Sequence, residues 1–142
     1  MPTLQLKVSP TQNPERYPAL ASALTTLTAQ FLGKRSEVTA VIIEDLPAAR
    51  WYVGGHDTRR PTALLEIDIT QGTNTPAEKA GFIEAAFAEL QRQLGDATGV
   101  LEECSYVIVR EVPASDWGYG GITQLARRAM SQSAAQPFAP AV

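Results

Sequence analysis

The chain has 142 residues, about one domain's worth. Apolar residues make up 44% and charged residues 19%, a globular balance, and the formal charge of −3 argues against the basic face of a dedicated nucleic-acid binder. A single cysteine, Cys104, and a single histidine, His56, exclude an internal disulfide and a zinc set, and leave any Ser-His-Asp or Cys-His mechanism resting on His56 alone.

In chain order, Leu4, Leu6 and Val8 alternate with Gln5 and Lys7, the period-two signature of a half-buried strand. A turn follows over residues 9–14. An alanine- and leucine-rich stretch over about 15–32 then reads as a helix closed by Gly33, with Leu20, Leu24, Leu27 and Phe31 on its apolar face. Residues 38–44 form a β-branched run that predicts a buried strand, and a short hairpin-like segment ends at Gly54-Gly55. Leu64, Ile67 and Ile69 lie in a further strand. Thr75-Pro76-Ala77-Glu78 reads as a capping box opening a second helix, with Phe82, Ala86, Leu90 and Leu94 as its buried stripe and Gly95 as its end. Residues 106–110 are a second β-branched run, residues 122–130 a short helix, and residues 131–142 a loosely held tail rich in Ala, Ser and Pro. Cys104 reads as a small apolar packing residue and His56 as a surface loop residue.

The order of elements repeats. Pro2-Thr3 opens one half and Pro61-Thr62 the other, 59 positions on; Trp51-Tyr52-Val53-Gly54-Gly55 returns as Trp117-Gly118-Tyr119-Gly120-Gly121, 66 positions on. The expected domain is therefore residues 1–130, built of repeats 2–58 and 61–121. Two β-α-β units sharing a sheet give an α/β (α+β) fold: a four-stranded mixed sheet with two helices on one face. Nothing in the chain covers the other face, so a homo-oligomer is expected. No apolar run approaches the roughly 18 residues of a membrane span. The start of the chain lacks a signal-peptide layout, so a soluble, cytoplasmic protein without membrane or nucleic-acid partners is expected.

Met1-Pro2 leading straight into a strand, with the segments 44–55 and 111–121 in matching places, resembles the tautomerase superfamily, including its 4-oxalocrotonate tautomerase-like and macrophage migration inhibitory factor-like members. The resemblance covers residues 2–121. It implies a trimer, no cofactor or metal, and a small oxo or enol carboxylate as substrate, ketonised with an N-terminal proline as general base. Once Met1 is removed, Pro2 carries a secondary amine, and an α-amino group titrates near 7.7–8.0 before its surroundings act on it. Apolar walls and a nearby cation lower that value further, which suits a base working at neutral pH. With Met1 retained, the Pro2 nitrogen is a tertiary amide and inert.

The resemblance is incomplete in the pocket. Gln12, Thr73, Ala40 and Tyr106 stand where short-chain members carry arginines, and Thr70 and Thr73 where the chloroacrylic acid dehalogenases do. Lys34 matches the pocket lysine of the migration inhibitory factor branch and is expected to bind the substrate carboxylate. Tyr106 matches that branch's pocket tyrosine, to be supplied by a neighbouring subunit, and Trp51 stands at the family's hydrophobic pocket wall. Trp117, in the same place of the second half, reads as an aromatic packed at an interface. Arg50, Arg59 and Arg60 flank the linker between the halves. Pro61 is internal, so one active site per chain is expected. The same residues are compatible with two other readings: a catalytically silent trimer that binds, and a hydratase or decarboxylase of unsaturated acids.

Overall fold

The computed structural model describes residues 2–135. The central sheet is four-stranded, in the order β2-β1-β5-β6, from β1 (Thr3–Ser9), β2 (Ala40–Asp45), β5 (Thr62–Thr70) and β6 (Tyr106–Val112). β1 and β2 are parallel, β5 and β6 are parallel, and β1 meets β5 antiparallel at the centre. Each parallel pair is bridged by a helix, as parallel neighbours require: α1 (Tyr17–Leu32) and α2 (Pro76–Leu94). Two hairpins follow the edge strands: β3 (Tyr52–Val53) with β4 (His56–Asp57), and β7 (Gly118–Tyr119) with β8 (Ile122–Thr123). The expected short helix starts later and runs further, as α3 (Gln124–Ala135); Ile122 and Thr123 belong to the hairpin before it. Of the expected tail, residues 136–142 lie outside the described residues, as does Met1.

Alternation along the strands assigns the faces. Leu4, Leu6, Val8, Leu65, Ile67 and Ile69 are fully or almost fully buried and meet Leu20, Leu24, Phe82, Ala86 and Leu90 from the helices. Each such side chain removed from water contributes about 1.5–3 kcal/mol. The buried stripe of α1 is Leu20, Leu24, Thr28 and Leu32, with Leu27 and Phe31 only half-buried at its flank. Thr28 is tolerated there because its hydroxyl donates to the Leu24 carbonyl at 2.7 Å. On the opposite face Gln5, Lys7, Ile42 and Tyr106 stand exposed, and no element of the described chain covers them. No helix among the described residues is long and apolar enough to cross a membrane.

The helix ends follow their sequence signals, with one difference. Thr75 and Glu78 complete the capping box at 3.1 and 2.8 Å. Thr75→Ala is expected to lower the unfolding free energy by about 1 kcal/mol in a urea titration. Gly33 closes α1 in the left-handed region, at φ 68°. Gly95 does not: its φ is −54°, and glycine is needed there because a Cβ would lie 2.5 Å from the Gln91 carbonyl oxygen.

Candidate functional site

Pro2 immediately precedes β1 and is buried; its carbonyl accepts the Ala40 N–H at 3.2 Å. Thr3 pairs with Asp68, so continuing the register by one residue sets Pro2 level with Ile69, on the helix-facing side. Helix α1 runs back along β1 and ends at the same end of the sheet. The left-handed turn at Gly33 then delivers Lys34 to that end, where its Nζ donates to Thr73 Oγ1 at 2.8 Å. Thr73 in turn donates to the Thr70 carbonyl at 2.6 Å, and Asn74 Nδ2 donates to the Leu32 carbonyl at 3.0 Å. The turn between β5 and α2 is thereby tied to the end of α1. Burial pushes the Lys34 ammonium below the ordinary lysine range. Glu78 opposes that shift, Arg128 of α3 adds to it and Glu111 opposes it. Glu111 is itself paired with Lys79 at 2.9 Å.

Trp51 and Tyr106 are not at this end. β2 leaves the sheet at Asp45, beside Val8, and leads into the arm that carries Trp51; Tyr106 pairs with Leu64, which pairs with Lys7. Lys7 is five residues along β1 from Pro2, about 17 Å at 3.4 Å per residue. There Trp51 and Tyr106 line a cavity of about 390 Å³ with Lys7, Arg50, Ala63 and Leu64. Cys104 is exposed at the rim of this cavity rather than packed, because it lies in the turn ahead of β6. His56 is exposed in the first hairpin, in the short strand β4. The aromatic that shares the Pro2 end of the sheet is Trp117, since β6 leaves the sheet at Val112, beside Thr70, and carries the second hairpin there.

The register also revises the internal repeat. Ala40 opposite Thr3 corresponds to Tyr106 opposite Leu64, and Asn13 and Asn74 keep the same 61-residue spacing as Thr3 and Leu64. Ala63, not Pro61, therefore stands in the place of Pro2. In the second repeat Asp96 follows Gly95 where Lys34 follows Gly33. Its carboxylate accepts from Thr98 and Val100, bonds that hold its pKa below the usual carboxylate range.

Residues 2–59 match the tautomerase enzyme family. No curated protein matches the chain. Among solved structures, a wild-type fused 4-OT described as a symmetric trimer superposes with a TM-score of 0.76 at 25% identity, covering 88% of this chain and 98% of that one. A second wild-type fused 4-OT, described as an asymmetric trimer, gives 0.68 at 26% identity, over 91% of this chain and 98% of the other. A member of the cis-3-chloroacrylic acid dehalogenase family shares the fold with a TM-score of 0.76 at 22% identity, over 95% and 92% of the two chains. Residues 2–59 are thus a tautomerase-family segment, and the chain as a whole has the fold of the fused 4-OT structures.

Proposed function

We propose that the protein is a tautomerase of small 2-oxo (enol) carboxylic acids, with Pro2, freed by removal of Met1, as the general base. The observation that carries this reading is the position of Lys34: a partly desolvated ammonium, held by Thr73 at the sheet end where Pro2 starts the chain. One of its three N–H groups goes to Thr73, which leaves two for a substrate carboxylate. The Pro2 amine takes the proton from the enol oxygen on C2 and delivers it to C3: the O–H bond breaks, a C3–H bond forms, the C2=C3 bond becomes single and the C2–O bond becomes C=O. The Lys34 charge and the buried setting both favour the neutral amine.

Tyr106 and Trp51 lie too far from Pro2 in one chain to serve it; Trp51 belongs to the cavity at its own end, and a residue of the exposed sheet face reaches a Pro2 nitrogen only from another copy. We assign that role first to Tyr106, which is 64% exposed on the uncovered sheet face. The fused 4-OT structures are trimers by description, and a trimer is the assembly proposed for this chain.

The test is the ketonisation of phenylenolpyruvate by protein whose intact mass shows that Met1 is absent. A rate no greater than that of the buffer overturns the proposal. Lys34→Met is expected to raise KM about 10- to 100-fold, since a hydrogen bond to a charged group is worth about 1.5–3 kcal/mol. It should also move the acid limb of the kcat/KM profile to higher pH. Loss of a neighbouring cation raises the Pro2 pKa, and the neutral base then accumulates only at higher pH.

A further inference from the structure

The cavity at the far end of the sheet carries two cations, Lys7 and Arg50, and an aromatic wall, Trp51 and Tyr52, that the proposed Pro2 reaction does not use. It stands to β5 and β6 as the Pro2 end stands to β1 and β2, and the first hairpin arm folds against it. Its volume of about 390 Å³ falls within the range of roughly 300–1,000 Å³ typical of small-molecule sites.

Two features set its preference. Lys7 and Arg50 both line it, no carboxylate does, and neither cation is held in an ion pair among the described residues. Glu44, opposite Lys7 on β2, lies outside the lining. Trp51 and Tyr52 supply flat apolar surface, so the lining suits a planar anion.

A third feature removes reactivity. Ala63 occupies the position of the proline, and its N–H is an internal amide that donates to Ser105 Oγ at 3.0 Å. This chain supplies no N-terminal amine there.

We propose that this cavity is a second site, which binds an aromatic or conjugated monocarboxylate and releases it unchanged. The inference does not rest on the Pro2 reaction, and its test avoids turnover. The probe is trans-cinnamate, which has no enolisable 2-oxo group, titrated calorimetrically into the Pro2→Ala, Lys34→Met double variant. Saturable binding is expected, weakened tenfold or more by Arg50→Ala and by Lys7→Met, with circular dichroism confirming that each variant is folded. Uncharged cinnamamide should bind at least tenfold more weakly than cinnamate. Absence of binding at millimolar cinnamate, indifference to both Arg50→Ala and Lys7→Met, or equal affinity for the amide would each overturn the proposal.

Discussion

Replacing Pro2 with alanine is expected to lower kcat/KM for phenylenolpyruvate ketonisation by about 10²- to 10⁴-fold, the usual contribution of a positioned general base. The change should leave the fold intact. Pro2 has no N–H to give to the sheet, β1 begins at Thr3, and the bond from Ala40 goes to the carbonyl of residue 2, which alanine retains. Alanine at the chain start leaves a primary amine, so residual turnover above buffer is expected rather than complete loss. Intact mass must show Met1 removed from both proteins, because an amide nitrogen in either would make the comparison meaningless. Equal rates in two processed, folded proteins would exclude Pro2 as the base and leave binding as the role of this sheet end. The Lys34→Met variant supplies the complementary measurement: it alters carboxylate affinity and the pH profile while leaving the amine in place.

Most of the fold is legible in the residues, because each element carries its own local signal. Leu4, Leu6 and Val8 alternate, Thr75 and Glu78 cap, and the glycine pairs at 54–55 and 120–121 mark both hairpins with positive φ. The register of the repeat is another matter. Pro2-Thr3 and Pro61-Thr62 match by eye, yet the strands align Pro2 with Ala63. A shift of two residues keeps every side chain on its own face, so hydrophobic alternation cannot distinguish the two alignments. The pairing of β5 with β6, together with the spacing of Asn13 and Asn74, decides it. The same limit explains the candidate site. The position of Lys34 at the Pro2 end is legible from Gly33-Lys34 after a helix, because the helix returns the chain to the start of its own strand. That Trp51 and Tyr106 lie at the opposite end is not legible in the sequence. That follows from the antiparallel contact of β1 with β5, which reverses the second repeat and lies between strands more than fifty positions apart. Trp117 shares the Pro2 end for the same reason.

A second large effect is expected in the core. Phe82→Ala should lower the unfolding free energy by about 3–5 kcal/mol, a substantial part of the roughly 5–15 kcal/mol that holds a domain of this size folded. Phe82 is fully buried and opens the stripe of α2 that continues through Ala86, Leu90 and Leu94. Its ring packs in the cluster that includes Leu65, Ile67 and Ile69, and truncation would leave a void that the paired strands around it are poorly placed to close. Ile83, the next residue, is 38% exposed, and Ile83→Ala should cost under about 1 kcal/mol. The contrast is best measured by urea titration at one fixed protein concentration, since assembly would add a concentration-dependent term. A Phe82→Ala loss as small as that of Ile83→Ala would mean that α2 does not pack on the sheet through this stripe. The position also matters for chemistry, because Phe82 sits two turns into the helix whose capped start follows Thr73 and Asn74, the residues that tie the Lys34 end together. At temperatures where the variant remains folded, Phe82→Ala should therefore raise KM through a loosened Lys34 while leaving the acid limb set by Pro2 near its wild-type pH. Lys34→Met moves both.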